Sequence, residues 1–155
     1  DEVVQRAEFL LRIAQILELP RLATVQNPDR MGGTDERLES LVEHTDPKME
    51  FSCARCASLM ERLESSPRKQ AILVGIETHI CVSQTAHHLL AAGYEVAVCA
   101  DAVSARTHDR HQIGLERIRD AGAAIVHSES IAYEWLGTAD HPKFREALAV
   151  VKRFA

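Results

Sequence analysis

A cysteine placed where a strand turns into a helix is a candidate nucleophile, and Cys81 occupies such a place. The apolar run Ala71-Ile72-Leu73-Val74 stops at Gly75, and six residues later Cys81 opens the stretch Cys81-Val82-Ser83-Gln84-Thr85-Ala86-His87-His88-Leu89-Leu90, which reads as helix. Glycine allows a sharp backbone turn, so Glu77, Thr78 and His79 are expected at the carboxyl edge of a sheet. The unpaired amides and partial positive charge of a helix's first turn favour thiolate over thiol and also hold an oxyanion. One turn can therefore supply both nucleophile and oxyanion site.

The other residues with chemical potential form weaker patterns. Cys53 and Cys56 make a Cys-x-x-Cys, which alone suggests redox chemistry or half of a zinc site; with no second pair, a structural role is the better reading. His87, His88, His108 and His111 fall at helical spacings without an accompanying carboxylate cluster, so they are expected at a surface or interface and no metal site is expected. Cys99 lies in a buried run and reads as core. Asp101 follows that run, where a carboxylate can organise a loop by accepting bonds from nearby amides.

Elements that position these residues can be read from periodicity. Val3, Val4, Ala7, Leu10, Leu11, Ala14 and Leu17 recur at helical spacing, predicting an amphipathic helix over residues 2 to 18 that ends before Pro20. Leu22-Ala23-Thr24-Val25 reads as a strand, followed by a turn-rich loop from Gln26 to Gly33, and a second loop surrounds Asp46-Pro47-Lys48. Helix is expected over 53 to 65, strand over 71 to 75, helix over 81 to 92 and strand over 95 to 99. A loop from Asp101 to Arg106, a helix over 108 to 121, a strand over 123 to 126 and a closing helix over 143 to 153 complete the chain.

Alternating strands and helices, with strands that are continuous Val, Ile, Leu and Ala runs, predict a three-layer α/β/α domain around a mostly parallel sheet. Ligands of such sheets bind at the carboxyl ends of the strands. Gln26, the segment from Glu77 to Cys81, and the segment from Asp101 to Arg106 should therefore share a crevice. The chain begins directly in a helix, whereas a doubly wound sheet usually begins with a strand, so an N-terminal strand is expected to be missing from this sequence.

Composition bounds the function. The 155 residues suit one domain over 1–155, and the 46% hydrophobic content excludes a disordered chain. A formal charge of -5 without a block of Lys or Arg argues against nucleic-acid and membrane partners and leaves a small-molecule substrate. No apolar stretch approaches the ~20 residues that span a bilayer, and no signal peptide is visible. Four cysteines fit a reducing, cytoplasmic setting with free thiols.

These residues resemble the isochorismatase-like cysteine hydrolases, a family that includes nicotinamidases and N-carbamoylsarcosine amidohydrolases. Lys48-Met49-Glu50-Phe51-Ser52 resembles the family's Lys-x-x-Phe-Ser element, Gly75-Ile76-Glu77-Thr78-His79-Ile80-Cys81 its nucleophile turn, and Asp101-Ala102-Val103-Ser104 with Arg106 the segment beyond. The chain is most similar to small isochorismatase-domain members. It is less like nicotinamidases, because Gln26 to Met31 lacks the histidines of their metal site.

The resemblance implies that Cys81 attacks a carbonyl carbon to form an acyl-enzyme, that Lys48 keeps the thiolate charged, and that a cis peptide between Ile76 and Glu77 aims amides at the oxyanion. It implies no cofactor and a homo-oligomer. Gln26, Phe51, His79 and Arg106 are the candidate substrate-binding residues, Arg106 being equally suited to a surface ion pair. The family's proton-shuttling aspartate has no counterpart here, since Asp1 falls too late in the pattern. The leading expectation is a metal-independent hydrolase of an amide or related bond, because vinyl-ether cleavage by a true isochorismatase needs no cysteine. The alternatives are a catalytically incomplete binding or scaffold subunit, and a thiol redox protein using Cys53 and Cys56.

Overall fold

The computed structural model describes residues 2–154. Helix α1, Glu2–Ile16, buries Ala7, Leu10 and Ala14 of the expected stripe, and with them Glu8, Phe9 and Ile13 from outside it, while Val3, Val4, Leu11 and Leu17 are half-buried. Strand β1, Leu22–Gln26, leads through two single-turn helices, α2 (Pro28–Met31) and α3 (Glu36–Glu39), to β2, His44–Lys48. A 3₁₀ turn at Cys53–Arg55 precedes α4, Ala57–Ser65. Strand β3, Gln70–Ile76, a π-helical turn at Thr78–Val82 and helix α5, Ser83–Ala91, come next. Strand β4 (Glu95–Ser104), helix α6 (His108–Asp120), strand β5 (Ala124–Val126) and helices α7 (Ser128–Leu136) and α8 (Phe144–Phe154) complete the chain.

Every strand pairing is parallel, as the unbroken apolar runs predict. Among the described residues the strands form two sheets, β1-β2 and β3-β4-β5. Side chains on the two faces of the larger sheet separate the core. Ile72, Val74, Ala97 and Cys99 pack with Phe9, Leu10, Ile13, Ile131, Leu136 and Val151, so α1, α7 and α8 cover one face. Ala71, Leu73, Val96 and Val98 pack with Ala86, Leu89, Leu115 and Ile118, so α5 and α6 cover the other. This is the three-layer arrangement.

Several elements differ from the sequence reading, among them α2 inside the loop expected from Gln26 to Gly33 and α3 after it. Residues 44–48, around the expected loop at Asp46-Pro47-Lys48, are strand: among the described residues β2 pairs with β1 alone and tolerates Pro47, which has no N–H, at the sheet edge. Asp101 to Ser104, also expected as loop, extend β4. Leu73 lies opposite Val98 but Gly75 lies opposite Val103, so β4 carries extra residues in an irregularity around Asp101. The side-chain parity shifts with it: Cys99 and Ala102 share one face, Val98 and Val103 the other. Helix α7 was not foreseen. No helix among the described residues is long and apolar enough to cross a membrane.

Candidate active site

Gly75 at the end of β3 has φ +113°, a conformation that side chains rarely adopt. The chain turns there, the following Ile76–Glu77 peptide is cis as the resemblance implies, and Cys81 lies in the π-helical turn rather than at the first position of α5. The Glu77 carbonyl accepts from the Ile80 amide at 3.0 Å and the Val82 amide at 3.3 Å, so part of the turn's amide capacity is already used.

Cys81 is half-buried. Burial pushes its thiol above the ordinary value; the Lys48 charge and the Glu77 backbone N–H bonded to the sulfur pull it down, while Cys53 and Glu77 add to the rise. The net direction is upward, which corrects the expectation of a preformed thiolate: desolvation outweighs the ammonium. Lys48 is only 6% exposed and gives its three protons to Gln26 Oε1 at 2.5 Å and to the Glu50 and Phe51 carbonyls, each at 2.9 Å. It therefore acts on the sulfur through charge and not through a bond. Gln26 also donates from Nε2 to the Met49 carbonyl at 2.8 Å, so its amide supports Lys48 and the loop after β2. The Phe51 ring is exposed beside it.

A second cluster lies on the other side of the turn. Arg106 Nε stands 3.0 Å from Glu77 Oε1, and the Arg106 amide also donates to Glu77. Burial raises the Glu77 carboxyl, but the Arg106 amide and guanidinium, with His79, outweigh it and hold the carboxyl below its ordinary value. Arg106 is thus engaged in the ion-pair role. His79 Nδ1 lies 3.8 Å from Glu77 Oε2 without a hydrogen bond, and Ile76 is exposed at the rim.

The sequence reading missed the polar ties around this turn. Ser52 Oγ meets His88 Nδ1 at 2.9 Å, and the Cys53 amide donates to Thr85 Oγ1 at 2.9 Å, so α5 holds the Lys48 loop as well as the cysteine turn. Thr78 Oγ1 meets His111 Nδ1 at 2.9 Å. His87, His88 and His111 are accordingly half-buried, not surface residues, because each ring has a buried polar partner. The motif residues Thr78 and Ser52 were the available signal.

Cys53 Sγ lies 3.2 Å from Thr24 Oγ1, whereas Cys56 Sγ faces the Pro47 carbonyl and Ser58 Oγ, so the Cys-x-x-Cys sulfurs have separate partners. Asp101 accepts from the amide and hydroxyl of Ser128, anchoring the start of α7. Cys99 is fully buried in the core.

The site joins a cysteine in the turn between β3 and α5 to a buried lysine at the end of β2, a strand of the other sheet. The isochorismatase domain model matches residues 1–130, and the chain belongs to this family. It is 38% identical to isochorismatase domain-containing protein 2 of Xenopus laevis over 153 residues, covering 97% of this chain and 73% of that protein. It superposes on the MAR1 ribonuclease of Caenorhabditis elegans with TM-score 0.92 and 32% identity, covering 97% of this chain and 79% of that one. The YcaC gene product of Escherichia coli, an octameric hydrolase of unknown specificity, shares the fold at TM-score 0.81 and 18% identity, covering all of this chain and 84% of that one.

Proposed function

We propose that the chain is a metal-independent cysteine hydrolase that cleaves an amide or related bond of a small polar substrate. The observation that carries this reading is Cys81 at the β3 turn, with the Glu77 amide on its sulfur and the buried Lys48 charge beside it. Sγ attacks the carbonyl carbon as its proton passes to a base. The tetrahedral oxyanion collapses to a thioester as the amine leaves with a proton, and water then releases the acid. Because burial holds the thiol protonated, the base is indispensable. None of the hydrogen bonds among the described residues joins a carboxylate to Cys81. The family's shuttle aspartate is not assigned, and Asp1 lies outside the described residues. We place the protein in a reducing compartment, as a homo-oligomer acting on a small molecule, without nucleic acid or membrane.

Mass spectrometry after iodoacetamide competition at pH 7 and a screen of small amides, each with wild type and Cys81→Ala, test this reading. Hydrolysis abolished in Cys81→Ala supports it. Substrate binding without turnover would favour a binding subunit, and equal slow labelling of all four thiols would count against a reactive Cys81. The likeness to a ribonuclease supports a second reading, RNA hydrolysis. The net charge of -5 and the engagement of Lys48 and Arg106 by protein oxygens oppose it. RNA cleavage that persists in Cys81→Ala would favour it.

A further inference from the structure

We infer that His111 is a positioning residue for the nucleophile turn: through the Thr78 hydroxyl it ties helix α6 to the segment that carries Cys81. The consequence for catalysis rests on the reading of Cys81 as nucleophile; the geometry does not.

Thr78 begins the π-helical turn and is 0% exposed. A hydroxyl so buried needs a partner, and His111 Nδ1 at 2.9 Å supplies it from a residue 33 positions away. Burial lowers the His111 pKa, and His108 lowers it further, so the ring is neutral near pH 7 and bonds to Thr78 without placing a cation beside the turn.

Gly114 adds a second tie. It lies three residues beyond His111 on the same face of α6, and a Cβ at Gly114 would stand 3.0 Å from the amide nitrogen and the Cα of His79, and 3.1 Å from Thr78 Cγ2. The helix backbone therefore rests directly on the turn, so close that a Cβ there would require the turn to give by a few tenths of an ångström. A π-helical turn is an irregular, sparsely repeated conformation, so an external brace decides where its residues stand. Cys81 is three residues beyond Thr78 in that turn.

The test uses His111→Leu, His111→Asn, Thr78→Val and the double variant His111→Leu/Thr78→Val. Asparagine carries a hydrogen-bonding atom on Cγ, as histidine does at Nδ1. Each apolar single variant leaves one buried polar group unpaired, whereas the double variant removes both. Hydrogen–deuterium exchange over residues 76–83 should accelerate about tenfold in each single apolar variant, no further in the double, and should stay near wild type in His111→Asn. Exchange in β5 and α8 should be unchanged throughout. Iodoacetamide labelling of Cys81 should depart about fivefold from wild type in His111→Leu and return to it in His111→Asn. Unchanged exchange in His111→Leu, additive effects in the double variant, or no rescue by asparagine would overturn the proposal. If Cys81→Ala still hydrolyses the small amide, the nucleophile reading fails while the exchange data still decide the role of His111.

Discussion

Lys48 Nζ donates to Gln26 Oε1 at 2.5 Å, joining the last residues of two paired parallel strands, β2 and β1. With the Glu50 and Phe51 carbonyls taking the other two protons, the ammonium is fixed in place and its charge is aimed at a sulfur that it does not touch.

Replacing Lys48 by methionine separates those two roles. The variant removes the three charge-assisted bonds of the ammonium, and about 3 kcal/mol of stability should be lost in urea denaturation. Wild-type Cys81 should label with iodoacetamide at a rate that still climbs through pH 9, because burial holds its thiol above the ordinary value. In Lys48→Met the climb should shift to higher pH. An unshifted profile would mean that the Lys48 charge does not reach the sulfur.

Cys99 makes folding stability sensitive to alkali. Burial, and then the charges of Asp101 and Glu134, push its thiol up to about 12 from a reference of 9.0. The folded protein keeps a proton that the unfolded chain releases, so stability is complete below the unfolded value and is lost as pH rises towards the folded one. The loss is about 1.4 kcal/mol per pH unit across that window. The stability difference between wild type and Cys99→Ala, measured at pH 8 and pH 10, should shrink by about that amount or more; a constant difference would contradict the assignment.

The four thiols should divide into two pairs by accessibility. Cys53 and Cys81 are half-buried, whereas Cys56 and Cys99 are 6% and 0% exposed. An aromatic disulfide reagent should titrate the first pair in the native protein and the second only after unfolding. Mild oxidation should not join Cys53 to Cys56, whose sulfurs face different partners. A Cys53–Cys56 disulfide in a peptide map would restore the redox reading.

Gly114→Ala tests the contact between α6 and the turn. A helix interior gains about 0.5–1 kcal/mol from the exchange, but the added carbon meets His79 backbone atoms, which cannot rotate away. Overpacking of this kind costs about 1–3 kcal/mol, so thermal denaturation should show a net loss. A gain in melting temperature would show that the turn yields easily.

Much of the fold was legible because its signals are local. The stripe in α1, the apolar runs of β3 and β4 and the glycine before the cysteine turn each announce an element from neighbouring residues alone. Strand β2 was not legible: His44 and Thr45 are exposed, Pro47 reads as a breaker, and only pairing with β1 makes the segment a strand. The extension of β4 past Asp101 likewise depends on Gly75 and Ile76 lying alongside.

The sequence by itself determined the alternating parallel architecture and the place of Cys81 after a glycine turn, since both follow from short-range periodicity and backbone freedom. Only the tertiary structure decided that burial pushes the Cys81 thiol up, that the Lys48 protons go to oxygens, that Arg106 pairs with Glu77, and that His111 meets Thr78. Those outcomes depend on burial and on distances between residues far apart in the chain, quantities that the order of side chains along a strand does not contain.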